Sequence, residues 1–287
     1  MAIGLVGSEM CIRDRAGGAN LILADGDFTA FTDGGMIASD GRCKVFDANA
    51  DGYVQGEGVV MIVLKPLSDA LKNGDRIYGQ IIATQINHNG KSNTLTSPNL
   101  KAQVSLLERV YRQDKINPDT INYLETHAVG TTIGDALELK AIGKVLTKNR
   151  PLDNPLKVGS VKTNIGHTEN VSGMASLIKT LFCLQSKTLV PNLHFTSPNP
   201  AIKFDKFKIK VQDKLEDLDS TNNTLRMAVN AFGFGGTNAH IVIEEAPKLP
   251  VESSEFTVNI FTLSAKSESA LLNLSLIHIS EPTRPIA

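Results

Sequence analysis

Residues 170–184 constrain this chain more than any other stretch, because they read as a helix with too little polar surface to lie on the outside of a protein. Val171, Ala175, Ile178 and Phe182 make one apolar stripe at helical spacing, and Met174, Leu177 and Leu181 make a second beside it. Gly173, Ala175 and Ser176 keep the helix thin. A helix apolar around most of its circumference is buried around most of it, so the pattern predicts a middle layer between two sheets. The remaining segments supply those sheets. Residues 16–24 run through LILA as a buried strand, GVVMIVL (58–64) reads as a fully buried strand, and RIYGQIIATQIN (76–87) as a long one. SDALKNGD (68–75) reads as a short helix capped by Ser68. A helix near 100–112 precedes the strand INYLET, and a helix near 135–146 precedes the strand LKVGSV. RMAVNAF and NAHIVIEE read as adjacent strands joined by a tight GFGGT turn. Strand and helix alternating in this way predict an α/β layered fold.

The ends read differently from the middle. LVGSEMCIRDR (5–15) and LSLIHISEPTR (274–284) are translations of the two complementary strands of one sequencing-library adapter, so 1–15 and 274–287 are set aside as adapter-derived. The native stretch is then 16–273, long enough to bury a sizeable core. With 29 Lys and Arg against 30 Asp and Glu, the formal charge is −1 and gives no footprint for nucleic acid. The apolar runs are strand-length, far short of a membrane span. Cys11 falls in the adapter segment, and the unpaired-looking Cys43 and Cys183 fit a reducing cytosol.

Three segments carry side chains that suit chemistry. His127 ends the strand INYLET before a glycine-bearing turn, where a side chain in an α/β fold can reach a ligand crevice. Taken alone it reads equally as a histidine fixed by one hydrogen bond. Lys162 and His167 lie on either side of T-N-I-G, and a lysine entering an interior region needs a partner, because an unpaired buried ammonium is costly. Its blander reading is a lysine whose stem is buried and whose head reaches water. NAFGFGGTNAH needs no more than glycines for a turn and Asn238 to satisfy local backbone groups, with His240 a structural residue. Two look-alikes fail. DANADGYVQGEG starts like a calcium loop at Asp47 but has Gly58 where the bidentate carboxylate belongs, and GFGGTN has Asn238 where a dinucleotide loop has its third glycine. No Cys/His cluster has metal spacing.

Taken in order, these segments resemble the C-terminal half of the β-ketoacyl synthases. The family pattern E-A-H-G-T-G-T-x-x-G-D-x-x-E is met by Glu125, His127, Gly130, Thr131, Gly134, Asp135 and Glu138, and G-S-x-K-x-N-I-G-H-T-E-x-x-x-G is met from Gly159 to Gly173. The resemblance implies a thiolase-like five-layered αβαβα fold, truncated here with most of the N-terminal half missing. It divides the chain into the remainder of the N-terminal half (16–88), the C-terminal half (89–246) and the start of a linker toward an acyltransferase domain (247–273). It implies decarboxylative condensation of a malonyl unit on an acyl carrier protein with an acyl thioester, in polyketide or fatty-acid biosynthesis. His127 and His167 would stabilise the enolate, with Lys162 holding His167 in place and Glu169 as its counter-charge. Thr131 would bond the phosphopantetheine arm and Phe234 would gate access to the nucleophile. That nucleophile is a cysteine in a D-T-A-C-S-S-S run upstream of the A-G-G at Ala16; neither Cys43 nor Cys183 has that context. No cofactor is bound by such a domain itself, the intact protein is expected to be a cytoplasmic homodimer, and neither nucleic acid nor membrane is a partner.

Ala128 and Val129 depart from the family's Gly and Thr, removing a hydroxyl that serves the phosphopantetheine arm and adding bulk next to His127. They keep open a second reading, a non-extending ketosynthase-like domain that binds or passes acyl chains without condensation. A thiolase is a weaker third reading, because its cysteine and histidine signatures differ.

Overall fold

A computed structural model of the chain describes residues 14–91, 97–219, 224–247 and 264–275. The chain divides into two units at Pro247, and the second contributes one described helix, Glu268–Ser275. Of the linker segment expected from 247 to 273, residues 248–263 lie outside the described residues.

In the first unit, strand β1 (Asp14–Asn20) pairs antiparallel with β2 (Gly58–Leu64) to form a two-stranded ribbon. Between them lie helix α1 (Asp25–Asp33) and an irregular glycine-rich stretch, and after them the short helix α2 (Leu67–Lys72). A six-stranded sheet follows. Its members in chain order are β3 (Gln80–His88), β4 (Tyr123–Glu125), β5 (Leu156–Gly159), β7 (Ile209–Val211), β9 (Arg226–Phe232) and β10 (Thr237–Glu244). The two-residue strands β6 (Thr188–Leu189) and β8 (Glu216–Asp217) pair with each other at one side. In space the sheet runs β3-β10-β9-β4-β5-β7: β9, β4, β5 and β7 are parallel, whereas β10 pairs antiparallel with both β3 and β9.

Helices cover both faces of this sheet. On one face lie α3 (Leu100–Gln113) and α4 (Thr132–Val145); α6 (Ser172–Ser186) covers the other by packing on β9. Helix α3 starts at Asn99, whose side chain accepts from the backbone N–H groups of Lys101 and Ala102 and so satisfies two of the donors a helix start leaves over. The strand period of two sorts the core. Leu124, Ala228 and Val242 join Leu107, Val110, Leu139 and Ile142 on the α3/α4 side, while Tyr123, Met227, Val229 and Ile243 join Leu177 and Leu184 on the α6 side. Each fully buried aliphatic side chain here contributes about 1.5–3 kcal/mol relative to exposure.

Four local expectations fail. LILA is not a strand: β1 ends at Asn20, and Leu21 and Leu23 are exposed. β2 is not buried on both faces, since Val59, Met61 and Val63 are exposed while the intervening residues face the protein. An apolar run reports what a strand could bury, and neighbouring elements decide how much of it is covered. Ser68 caps nothing; α2 begins one residue before it, at Leu67, with Pro66 in the cap position. Helix α6 is not buried all round either. Met174 and Leu177 face the sheet, whereas Ala175, Ile178 and Phe182 line an open apolar groove of about 420 Å³ together with Val60, Val161 and Ile165. The calcium look-alike has a positive explanation. The Asp47 carboxylate is buried and accepts from Thr196 N (2.6 Å), Ser197 N (2.8 Å), Asn49 N (2.8 Å) and Thr196 Oγ1 (3.0 Å), tying this loop to residues 196–197. Burial opposes ionisation there, but these donors outweigh it and hold the carboxyl at about 2.

Candidate active site

Sheet order places the ends of β4 and β5 side by side, and both histidines emerge from those ends. His127 is two residues past β4. Lys162 opens the one-turn helix α5 (Lys162–Ile165) after β5, and Gly166 then turns at φ +73° to bring His167 back across it. Any side chain at 166 would be strained at that φ and would crowd the carbonyls of Val54 and Gln55. The two imidazoles meet edge to face, with centroids 5.6 Å apart and planes at 79°. Phe232 packs against His127 at 5.7 Å, and Tyr53 against His167 at 5.3 Å.

Hydrogen bonding orients the His167 ring and fixes the backbone of His127. Glu169 N–H donates to His167 Nδ1 at 3.0 Å, so the neutral ring carries its proton on Nε2, free to be offered to a ligand. The His127 backbone N–H donates to Glu138 Oε1 at 2.9 Å, and the same oxygen accepts from Asn230 Nδ2 at 2.8 Å. Asn230 continues to His240 Nδ1 (2.6 Å), and His240 Nε2 meets Tyr111 Oη at 3.0 Å. His240 is therefore a structural link, as expected, within a network that sets the position of His127. The Nδ1 atom of His127 is buried and has no partner among the described residues.

Both site histidines are held neutral. Burial first, and the Lys162 ammonium second, push the pKa of His127 well below its usual value and that of His167 down to about 3. Lys162 is itself fully buried, which lowers its pKa, while Glu125 and Glu138 act in the opposite direction. These two carboxylates, rather than Glu169, are the main counter-charges of Lys162. Glu169 instead accepts from Gln55 Nε2 at 3.0 Å. Sequence reasoning matched Glu125 and Glu138 to a pattern but gave them no role. Burial raises the pKa of Glu138 to about 7, opposed by Asn230 and the His127 N–H. Glu125 bonds Lys179 Nζ (2.8 Å) and Tyr123 Oη (2.7 Å) through Oε2.

The turn after His127 is held by Asp135, whose Oδ1 accepts from the N–H groups of Val129, Gly130 and Thr131 at 3.2–3.3 Å while Oδ2 accepts from Phe46 N at 2.9 Å. Ser160 Oγ donates to the Ala128 carbonyl at 2.8 Å. Ala128 and Val129 are thus bonded through their backbones. Thr131 sits at the N-cap of α4 with no capping bond from its hydroxyl. Phe234 lies at the tip of the β9–β10 hairpin, well exposed, with its ring 6.4 Å from Phe31; Phe31 in turn lies 6.4 Å from Tyr53. A row of rings therefore runs from the hairpin tip to His167. Cys43 is buried with its Sγ accepting from Val54 N–H at 3.2 Å, and burial raises its pKa, so it is a poor thiolate. Cys183 is likewise buried and raised. Among the described residues no group of His, Cys, Asp and Glu is placed to hold a metal, and no helix is long and apolar enough to cross a membrane.

Family models match in sequence along the chain: the β-ketoacyl synthase N-terminal domain over 5–70, its C-terminal domain over 78–196 and the ketoacyl-synthetase C-terminal extension over 198–279. The chain belongs to the β-ketoacyl synthase family. It is 43% identical over 242 residues to a phenolphthiocerol/phthiocerol polyketide synthase of Mycobacterium tuberculosis, covering 84% of this chain and 13% of that protein. With polyketide synthase PksL of Bacillus subtilis it shares 40% identity over 259 residues, 89% of this chain and 6% of that protein. Among solved structures, the ketosynthase from module 6 of the bacillaene synthase of Bacillus subtilis matches with a TM-score of 0.79 at 40% identity, covering 82% of this chain and 42% of that one. An oxazolomycin ketosynthase domain of Streptomyces albus matches at 0.78 and 34%, covering 84% and 42%. The fold is therefore the thiolase-like fold of the ketosynthases, of which this chain spans less than half. The relatives it matches in sequence are polyketide synthases, of whose length the chain spans 13% and 6%.

Proposed function

We propose that the parent of this chain catalyses decarboxylative Claisen condensation between a malonyl unit on an acyl carrier protein and an acyl thioester held on an enzyme cysteine. The observation that carries the reading is the pair of neutral imidazoles at the ends of β4 and β5, one of them with its Nε2 proton free to donate. Loss of carbon dioxide from the malonyl thioester leaves an enolate, and its oxygen is where charge develops. His127 and His167 donate to that oxygen without gaining charge themselves, and one preorganised donor of this kind is typically worth about 3–4 kcal/mol. The enolate carbon then attacks the acyl carbonyl, the carbon–carbon bond forms and the cysteine thiolate leaves. Burial keeps both rings neutral and the positive charge of Lys162 adds to it, while Glu125 and Glu138 compensate that charge.

Thr131 is assigned to the phosphopantetheine arm, since its hydroxyl caps nothing, and Phe234 to a gate at the end of the row of rings. The substrate arrives on an acyl carrier protein, the domain needs no cofactor of its own, and the working unit is a cytoplasmic homodimer whose next domain is an acyltransferase. The divisions at 16, 89, 247 and 274 belong to this reading as well. The non-extending alternative rests on Ala128 and Val129. The backbone of both is bonded, Val129 N–H to Asp135 and the Ala128 carbonyl to Ser160, and His127 still meets His167, which favours the condensing reading.

Two measurements test this. The 287-residue chain by itself is expected to give no turnover with acyl- and malonyl-carrier proteins, and turnover would refute the need for a separate cysteine. Long-read sequencing of native DNA upstream of the codon for Ala16 should show a cysteine in a serine-rich D-T-A-C-S-S-S run. Another residue in its place would favour the non-extending domain.

A further inference from the structure

The glycine-rich stretch before β2 embraces His167. The His167 N–H donates to the Val54 carbonyl at 2.7 Å, the Gly56 N–H donates to the His167 carbonyl at 3.0 Å, and between them the Tyr53 ring stands edge-on to the imidazole. Two residues further on, Glu169 has φ +37°, a conformation that costs any residue with a Cβ. The N–H that meets His167 Nδ1 is aimed by the turn at Thr168 (φ −78°, ψ 25°), and the positive φ at 169 is where the chain leaves that turn toward α6. A non-glycine residue stays in such a conformation only when its surroundings over-determine it. Here the surroundings are three side chains. Gln55 Nε2 donates to Glu169 Oε1 at 3.0 Å, Ser172 Oγ donates to the Glu169 carbonyl at 2.9 Å, and the Tyr53 phenol lies close enough to the Glu169 carboxylate to feel its charge. Burial and the neighbouring negative charge push the phenol up to about 12, so it stays protonated and able to donate.

We propose that Tyr53, Gln55 and Glu169 are positioning residues for His167: their side-chain contacts anchor residue 169, and with it the N–H that meets Nδ1, and thereby select the Nε2–H form of the imidazole. Its functional meaning rests on the condensing role proposed for His167, whereas the selection of the ring form does not. Without the clasp, residue 169 relaxes, Nδ1 loses its donor and the ring divides between two tautomers, only one of which offers Nε2–H to the enolate.

Nitrogen NMR of the full chain labelled in histidine reads this directly. The wild-type His167 should show one tautomer, with Nδ1 unprotonated. Glu169→Ala, and the pair Tyr53→Phe with Gln55→Ala, should move its two ring nitrogens toward averaged shifts, whereas Glu169→Gln, which keeps an oxygen for Gln55, should restore the single form. His240, buried between Asn230 and Tyr111, reports in the same spectra that the fold is intact. Tyr53→Phe alone removes a single oxygen and is the milder probe if Glu169→Ala unfolds. A single Nε2–H tautomer in all of these folded variants would overturn the proposal. In the intact synthase, Glu169→Ala should lower kcat for condensation about tenfold with KM for the malonyl-carrier substrate little changed. A changed tautomer with unchanged condensation would uphold the clasp and instead sink the catalytic role of His167.

Discussion

Glu125 and Lys179 form an ion pair inside the protein, and its removal has a calculable consequence. Glu125 is 0% exposed and the Lys179 side chain 9%, with Nζ 2.8 Å from Oε2. Lys179→Met keeps the stem volume and removes the charge. Breaking a buried pair from one side costs about 3–5 kcal/mol, because the remaining charge is left without compensation. Here Tyr123 Oη and the Val161 N–H still donate to the carboxylate, and Lys162 still acts on it, so the lower end, about 3 kcal/mol, is expected. For a domain of this size that corresponds to a fall in Tm of roughly 6–12 °C. Adding Glu125→Gln should recover part of it: the stranded charge disappears and the amide oxygen can still accept from Val161, but Lys162 then keeps only Glu138 as its main counter-charge. Urea denaturation of the wild type, both single variants and the double variant completes the cycle. A Lys179→Met cost below about 1 kcal/mol, or a double variant no more stable than that single one, would refute the reasoning.

Acid should destabilise the fold as pH falls from about 6.5 toward 3, because His167, His240 and His127 are held neutral in the native state and take up protons when unfolded. Asp135 and Glu138, raised to about 6 and about 7, act in the opposite sense and lose stability as pH rises through those values; urea midpoints across this range should still fall on the acid side. In the intact synthase, Thr131→Val should leave stability nearly unchanged but raise KM for the carrier-bound substrate several-fold, matching one lost hydrogen bond of about 0.5–1.5 kcal/mol. An unchanged KM would remove Thr131 from the substrate site.

The fold was legible where a pattern is local. Helices α3 and α4 and the β9–β10 hairpin lie close to where their periodicity and turn residues place them, and the alternation of strand and helix does build one sheet covered on both faces. What failed depends on neighbours: whether Val59 and Phe182 are covered is decided by other elements, not by the runs that contain them. The site divides in the same way. His127, Lys162 and His167 announce themselves by their turns, and the sheet order brings them together. The residues that tune them do not, because their partners are distant in sequence: Asn230 lies 92 positions from Glu138, Tyr111 129 from His240, and Gln55 114 from Glu169. Nor could a sequence distinguish Glu169, two residues from His167, from Glu125 as the charge opposite Lys162, since that choice depends on which way each side chain points.

The most direct test of the two-imidazole account is the rate of carbon–carbon bond formation by the intact synthase carrying His167→Ala, with loading of the acyl chain measured separately. Loss of one preorganised donor predicts a fall in condensation of about 10²–10³ with acyl loading retained. Condensation at the wild-type rate would contradict the account.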